Sequence, residues 1–217
     1  MIELINITKT YDHRIDILHQ ISMAIGNGEY LEIIGKSGSG KSTFLNLIGL
    51  LDSDYSGDLI YNGQNIRHLN DMQISRLRNE LIGFVFQSYN LIPGLTVYEN
   101  IMLPFVYSGK NPSHEHRKYL NKLTEQLKIS TLLDKRIQFL SGGEKQRAAI
   151  CRALCLSPNV ILADEPTGNL DPVNSDVVFE VFHRLSKSGT TIVLVTHNQS
   201  MDVVADRVLN LQGGVFA

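Results

Sequence analysis

The segment from residue 35 to residue 43 constrains this chain most, because its spacing fits one kind of local fold. It lies between residues 30–34, an apolar run typical of a strand, and residues 41–50, whose apolar positions recur at helical spacing. A loop of pattern G-x-x-x-x-G-K-S in this context indicates a phosphate-binding loop, whose backbone N–H groups face the anion. The alternative, a glycine-rich turn without a ligand, is disfavoured by the complete pattern. The residues predicted to bind nucleotide are Gly35, Lys36, Ser37, Gly38, Ser39, Gly40, Lys41, Ser42 and Thr43.

Two acidic residues follow a second apolar run, residues 160–163, and extend this prediction to catalysis. A carboxylate that ends a parallel strand lies at the sheet edge where ligands of such folds bind. We expect Asp164 and the Ser42 hydroxyl to hold Mg²⁺, while Lys41 reaches the terminal phosphates. Glu165 is the candidate to polarise an attacking water. An isolated Asp-Glu pair is more often a solvated strand end, but the phosphate loop favours the functional interpretation.

Two further polar side chains stand where a predicted strand ends. His197 follows residues 192–196, and Gln87 follows residues 83–86. An amide at Gln87 could touch a metal ion or water and sense movement of a neighbouring subdomain. The alternative for both is an ordinary packed or surface side chain. Taken by itself, the position of Gln87 is weak evidence for a functional role.

Strands alternate with helices along this chain, which predicts an α/β fold with a mainly parallel sheet covered on both faces. Asp71 is a candidate N-cap for a helix that ends near residue 79, and a short helix is expected near residues 199–205. Residues 90–157 are rich in charged, helix-favouring stretches, which indicates a helical subdomain. We therefore expect one domain over 1–217, with an ATP-binding core at 1–89 and 158–217.

Composition limits the partners and the compartment. The formal net charge of −2 gives no global basic field for nucleic acid, and we expect no nucleic-acid partner. We find neither a signal peptide nor a run of about 18 to 20 apolar residues that could span a bilayer. Cys151 and Cys155 would share one helix face as buried apolar side chains, which fits a reducing cytoplasm.

The sequence Leu140-Ser141-Gly142-Gly143-Glu144, added to the motifs above, resembles the signature of ABC transporter ATP-binding subunits. The resemblance runs from residue 2 to about residue 214. It implies a P-loop NTPase fold of the ABC ATPase type, with an antiparallel β subdomain and a helical subdomain that carries the signature. It also implies a head-to-tail dimer, in which ATP lies between the phosphate loop of one copy and the signature of the other. The signature residues that would contact ATP in trans are Ser141, Gly142, Gly143 and Glu144.

The same resemblance assigns roles to other positions. Tyr11 matches the aromatic residue that stacks on adenine, although an ordinary tyrosine at a strand end remains the alternative. Gln87 matches the glutamine of the Q-loop, which contacts the metal ion or water. Asp171, in Asn169-Leu170-Asp171, matches the D-loop that lies across the dimer interface. His197 matches the histidine that contacts the γ-phosphate.

Residues 163–171, 77–79 and 83–87 resemble one branch of this family, which contains MacB-type exporters, the lipoprotein-release ATPase LolD and the cell-division ATPase FtsE. This implies ATP hydrolysis that powers a separate membrane permease, in export or extraction of a peptide, antibiotic or lipoprotein. The permease would press a helix into a groove near residues 87–107 and hold the chain at the cytoplasmic face of the membrane. The alternative is an FtsE-like mechanical switch on a membrane complex without transport. The cargo, and whether the dimer is homomeric or heteromeric, stay open.

Overall fold

A computed structural model describes residues 1–11, 15–197 and 205–217 of the chain. The helix expected near residues 199–205 lies almost wholly outside the described residues. The helices are α1 (Lys41–Ile48), α2 (Asp71–Leu81), α3 (Val97–Ser108), α4 (His114–Gln126), α5 (Gly142–Leu154) and α6 (Pro172–Lys187). The strands are β1 (Ile2–Tyr11), β2 (Ile15–Ile25), β3 (Tyr30–Ile34), β4 (Ser56–Tyr61), β5 (Gln64–Asn65), β6 (Ile82–Val85), β7 (Val160–Asp164), β8 (Thr191–Thr196), β9 (Arg207–Gln212) and β10 (Val215–Phe216). Short 3₁₀ helices lie at Ile66–His68, Ser130–Leu132 and Ile137–Phe139.

The central sheet has six strands in the order β10-β9-β3-β8-β7-β6. Every neighbouring pair in it is parallel except β10 and β9, which pair antiparallel. The carboxyl ends of β3, β6, β7 and β8 therefore meet at one edge. This confirms the mainly parallel sheet, and it brings together the strand ends that carry the predicted polar residues.

A second sheet has four strands in the order β2-β1-β4-β5, all paired antiparallel. Strands β4 and β5 form a hairpin whose two turn residues, Asn62 and Gly63, have φ of 48° and 81°. Positive φ at both positions is the requirement of a type I′ turn, which Asn-Gly satisfies best. The antiparallel β subdomain implied by the resemblance is therefore present, and the α/β fold class is confirmed.

The six-stranded sheet separates two hydrophobic cores, because side chains alternate along its strands. On β7, Ile161 and Ala163 face one core, while Val160 and Leu162 face the other. The first core joins α3, α4, α5 and α6 to the sheet, and the second joins it to α1 and the four-stranded sheet. The helices of residues 90–157 thus share a continuous core with one sheet face, and the boundaries of the expected subdomains stay a prediction.

Helix α2 begins one residue earlier than the sequence suggested. Asn70 is the N-cap, with φ −82° and ψ 167°, and its side chain accepts from the N–H of Gln73 while Gln73 accepts from the N–H of Asn70. The expectation that Asp71 caps this helix was wrong, because Asp71 already lies in the first turn. There its charge still complements the helix dipole. Among the described residues, no helix is long and apolar enough to cross a membrane.

Candidate functional site

A cleft of about 400 Å³ lies at the carboxyl edge of the central sheet. It gathers residues from the ends of β3, β7 and β8, together with the start of α1 and the loop after β6. The lining residues are Ile17, Ser37, Gly38, Gly40, Lys41, Ser42, Thr43, Gln87, Asp164, Glu165 and His197. Most residues predicted to bind phosphate and metal therefore share one site, although they are widely separated in sequence.

The phosphate loop is curled by glycines and closed on a lysine. Gly40 stands directly before α1 with φ 99°, and a Cβ there would lie 3.0 Å from the Ile17 carbonyl oxygen. The Lys41 ammonium donates to the carbonyl oxygens of Gly35 at 2.7 Å and Lys36 at 3.0 Å. Lys41 is only 8% exposed, so the loop surrounds its charge. Because these partners are neutral carbonyl oxygens, they do not cancel the positive charge of Lys41, which remains available to an anion in the cleft.

Asp164, at the end of β7, forms a side-chain hydrogen bond with Ser42 at the start of α1. Burial raises the pKa of Asp164, and the nearby charge of Glu165 adds to this, while Ser42 and Lys41 act in the opposite direction. A partly desolvated carboxylate beside a hydroxyl gains from a bound cation. Hydroxyl and carboxylate oxygens are also the donors that Mg²⁺ prefers, so the residues fit this ion.

The described residues contain no group of three or more His, Cys, Asp or Glu side chains arranged to hold a metal ion. Mg²⁺ commonly uses one or two protein ligands, with water and substrate phosphates completing its shell. A site built on Ser42 and Asp164 therefore suits a metal ion that arrives with a nucleotide.

Glu165 is held in a specific orientation beside Asp164. Its φ of 47° is unusual for a residue with a side chain, and its N–H donates to the Val195 carbonyl at 2.9 Å. The Thr196 hydroxyl donates to Oε2 of Glu165 at 3.2 Å, and Nδ1 of His197 lies 2.8 Å from Oε1. The Glu165 side chain is 11% exposed, whereas that of His197 is 58% exposed. The carboxylate is thus anchored from β8, while the imidazole borders solvent.

Gln87 follows β6, the strand at one edge of the central sheet, and its side chain lines the cleft. The phosphate loop follows β3, which is separated from β6 by β8 and β7. Its carbonyl oxygen is 3.5 Å from the Asn169 amide, which joins the loop after β6 to the loop after β7. Asp171 lies outside the cleft, as the N-cap of α6. Its Oδ1 accepts from the N–H of Asn174 at 3.0 Å, and the bonds from Asn174 lower the pKa of Asp171.

The signature residues also lie outside this cleft. Ser141 caps α5, with its N–H donating to Glu144 at 2.8 Å and its hydroxyl accepting from the Glu144 N–H at 3.3 Å. The bond from the Ser141 N–H lowers the pKa of Glu144. Ser141 and Gly142 are exposed, and Gly143 is half-buried. The N-terminus of α5 is therefore presented to the outside of the molecule.

Tyr11 is half-exposed, at 44%, and does not line the cleft. Its hydroxyl donates to Asp52 at 3.3 Å, and the Lys9 ammonium lies 4.7 Å from the centre of its ring. Residues 12–14, which follow it, are outside the described part of the chain. A role of Tyr11 in adenine binding stays a prediction.

The outer side of the phosphate loop borders a second cleft of about 440 Å³, lined by Lys36 and Ser39 among others. Gly35 is packed tightly, since a Cβ there would lie 2.4 Å from the Leu211 carbonyl oxygen. Two residues that contact the site were missed by sequence reasoning, Ile17 and Thr196. Thr196 could have been noticed, because it precedes His197 at the same strand end. No sequence signal pointed to Ile17.

Comparison with known proteins gives a consistent result. The sequence model of the ABC transporter family matches residues 18–168. An uncharacterized ABC transporter ATP-binding protein of Thermotoga maritima is 43% identical over 204 residues, 93% of this chain and 87% of that protein. The lipoprotein-releasing system ATP-binding protein LolD of Aquifex aeolicus is 42% identical over 199 residues, 92% of this chain and 88% of that protein.

The macrolide export ATP-binding/permease protein MacB of Campylobacter jejuni is 44% identical over 214 residues, 99% of this chain. This chain spans only 33% of that longer protein. Among solved structures, a dimeric ATP-binding cassette in a post-hydrolysis state, bound to ADP and Pi, superposes with a TM-score of 0.91 at 36% identity. The superposition covers 99% of this chain and 95% of that one.

Proposed function

This chain belongs to the ABC transporter family as an ATP-hydrolysing, ATP-binding subunit, and we propose that two copies of it hold MgATP between them. The observation that carries this proposal is the outward-facing signature turn. Ser141 and Gly142 are exposed and lie outside the cleft formed by Lys41, Asp164 and Glu165. The start of α5 favours an anion and faces away from the cleft of its own copy, so a second copy is needed to bring a nucleotide to it.

The phosphate chain binds along residues 35–43. The Lys41 ammonium, which donates to the carbonyl oxygens of Gly35 and Lys36, exchanges these neutral partners for phosphate oxygens. Phosphate oxygens carry negative charge whereas the carbonyl partners are neutral, so attraction between opposite charges at this largely buried ammonium favours the exchange. Tyr11 stacks on the adenine, as the family resemblance implies.

Ser42, Asp164 and Gln87 would hold Mg²⁺, and their oxygen atoms at the cleft fit that ion. When bound, the ion neutralises charge on the terminal phosphates. Asp164 stays ionised beside Lys41 and the ion in spite of its burial.

Glu165 orients the attacking water and accepts its proton. Thr196 and His197 hold the two oxygens of its carboxylate, so that it keeps one orientation before the nucleotide arrives. The exposed side chain of His197 then contacts the γ-phosphate and steadies the charge that develops there, together with Lys41. Ser141, Gly142, Gly143 and Glu144 of the second copy do the same from the opposite side, and Asp171 lies at the interface.

A mixing experiment tests the shared site. Lys41→Ala removes the phosphate contact of one copy, and Ser141→Arg blocks the signature of one copy. We expect each variant alone to lack ATPase activity. An equal mixture forms heterodimers with one intact site, and it regains roughly a quarter of the wild-type activity if copies pair at random and sites act independently. A mixture as inactive as its components contradicts a site built from two copies.

The membrane partner docks on a groove beside the cleft. This groove has a volume of about 300 Å³ and is lined by Ile92, Leu103 and Tyr107, among others. Tyr107 is 75% exposed and its neighbour Val106 is 71% exposed, and exposed apolar side chains that lie together are typical of an interaction surface. A permease on this surface would hold the chain at the cytoplasmic face of a membrane. The relatives named for lipoprotein release and macrolide export support a lipoprotein or an antibiotic as cargo.

The second candidate is a mechanical switch that acts on a membrane complex without moving a cargo. Such a switch would use the same ATPase cycle as a transporter and would differ from it in what the membrane partner does. Phosphate release with and without the co-purifying membrane partner, followed by a vesicle transport assay, separates the two. Stimulated hydrolysis without movement of any cargo favours the switch.

A further inference from the structure

The loop that follows Gln87 has an unusual backbone. Tyr89 and Asn90 have φ of 62° and 49°, so two consecutive residues with side chains adopt the left-handed region. Asparagine tolerates this region, whereas a bulky residue such as tyrosine rarely enters it. Within the loop, the Tyr89 N–H donates to Phe86 at 3.1 Å and the Asn90 N–H donates to Ser88 at 2.7 Å. Such a conformation persists only where the surroundings hold it.

A single side chain of α5 holds both of these residues. Nη2 of Arg152 donates to the carbonyl oxygen of Tyr89 at 2.8 Å, and Nη1 donates to the carbonyl oxygen of Asn90. In the described part of the chain, Arg152 forms no ion pair with a carboxylate. Burial lowers the pKa of Arg152, so the guanidinium is partly withdrawn from water. The fixed fork of a guanidinium matches two neighbouring carbonyl groups in a way that one ammonium cannot.

Helix α5 meets the same loop near its other end. The Tyr89 hydroxyl lies 3.1 Å from the position that a Cβ on Gly142 would occupy, at the first residue of the helix. Tyr89 and Asn90 are thus held by the helix that carries the signature, while Gln87, two residues before Tyr89, lines the ATP cleft. A rigid displacement of α5 therefore displaces the backbone that follows Gln87.

We propose that Arg152 is a positioning residue for ATP hydrolysis: it holds the loop of residues 88–90 and so places Gln87 in the cleft according to the position of α5. This inference rests on the proposed function, because it requires that Gln87 acts at the ATP site. Arg152 itself does not line the cleft. In the dimer, the signature turn and Gln87 of one copy belong to different ATP sites. Arg152 connects these two parts mechanically within each copy.

The test is a double-mutant cycle on the full chain, with Arg152→Gln and Gln87→Ala alone and combined. Arg117→Gln is the matched control, because Arg117 lies exposed on α4 and loses the same charge. Turnover and KM for ATP are measured at saturating Mg²⁺, at a temperature where circular dichroism shows every variant folded. We expect Arg152→Gln to lower kcat about tenfold with KM changed less than about twofold, and to have no further effect once Gln87 is alanine.

Arg152→Lys keeps the charge and one donor, and we expect its kcat to lie between those of the wild type and Arg152→Gln. Equal loss of kcat in the two Gln87 backgrounds means that Arg152 acts through general stability, and it overturns the proposal. Normal turnover of Gln87→Ala also overturns it, since Arg152 then has nothing to position.

Hydrogen exchange gives a reading that does not depend on catalysis. We expect the amides of residues 86–92 to exchange faster in Arg152→Gln than in the wild type and in Arg117→Gln. Unchanged exchange there refutes the hold on the loop even if the chain is an active ATPase. A different outcome separates the two proposals. If exchange is faster in Arg152→Gln but the wild-type chain hydrolyses no ATP, Arg152 holds the loop, and the proposed function is refuted together with any catalytic role of Arg152.

Discussion

Replacing Glu165 by Gln separates the chemical step of ATP hydrolysis from binding. The substitution keeps the shape of the side chain and one oxygen, which can still accept from the Thr196 hydroxyl. It removes the charge and the basicity that a proton acceptor needs. We therefore expect kcat to fall by at least ~100-fold, which corresponds to about 2.7 kcal/mol of transition-state stabilisation.

The same substitution has little effect on folding. Among the described residues, the basic side chain within salt-bridge distance of Glu165 is His197, which is 58% exposed and carries charge only when protonated. Pairs that border solvent contribute about 0 to 1 kcal/mol, so the free energy of unfolding changes by no more than that. Loss of one negative charge near the γ-phosphate also reduces repulsion, and the ATP-bound dimer should accumulate.

The assay combines phosphate release with light scattering after gel filtration in MgATP. Glu180→Gln is the control, because Glu180 is exposed on α6 and the chemical change is the same. We expect a stable dimer and slow turnover in Glu165→Gln, and wild-type behaviour in the control. Turnover close to that of the wild type would remove Glu165 from the role of general base. Loss of ATP binding would assign it to binding instead.

Three other substitutions or probes test separate parts of the structure. Lys41→Ala should weaken ATP binding at least ~100-fold, since charge-assisted contacts to the phosphates are lost, and calorimetric titration measures this. Burial raises the pKa of Asp164 above its ordinary 3.8, so the ionised carboxylate destabilises the folded chain at pH 7. Asp164→Asn should therefore raise the free energy of unfolding measured in urea at pH 7. Below pH 3.8 this gain should disappear, because the carboxyl group is then protonated in both the folded and the unfolded chain. Burial raises the pKa of Cys155 to about 12 and that of Cys151 further, so neither thiol should react with Ellman's reagent at pH 8 until guanidinium unfolds the chain.

Local sequence signals determined most of the candidate site. The phosphate loop could be placed because a strand, a glycine-rich loop and a helix follow one another within residues 30–50. Asp164, Gln87 and His197 could be placed because each follows an apolar run, and the ends of parallel strands share one edge. These inferences required only the position of each side chain along the sequence, and not the identity of the residue that it contacts.

Local reasoning was less accurate where two neighbouring residues compete for one role. Asn70 and Asp71 are both good N-caps by residue type. The backbone conformation chose Asn70, whose side chain and that of Gln73 each accept the other's N–H. A difference of one residue in such a position depends on how the preceding loop approaches the helix, which the sequence pattern does not specify.

By itself the sequence determined the order of elements, the phosphate loop and the signature, because these depend on spacing within a few residues. The tertiary structure decided which side chains meet: His197 with Glu165, 32 positions apart, and Arg152 with the loop after Gln87, 62 and 63 positions from its partners. Such contacts follow from the order of strands in the sheet and from how α5 packs beside β6, which are set by the whole core.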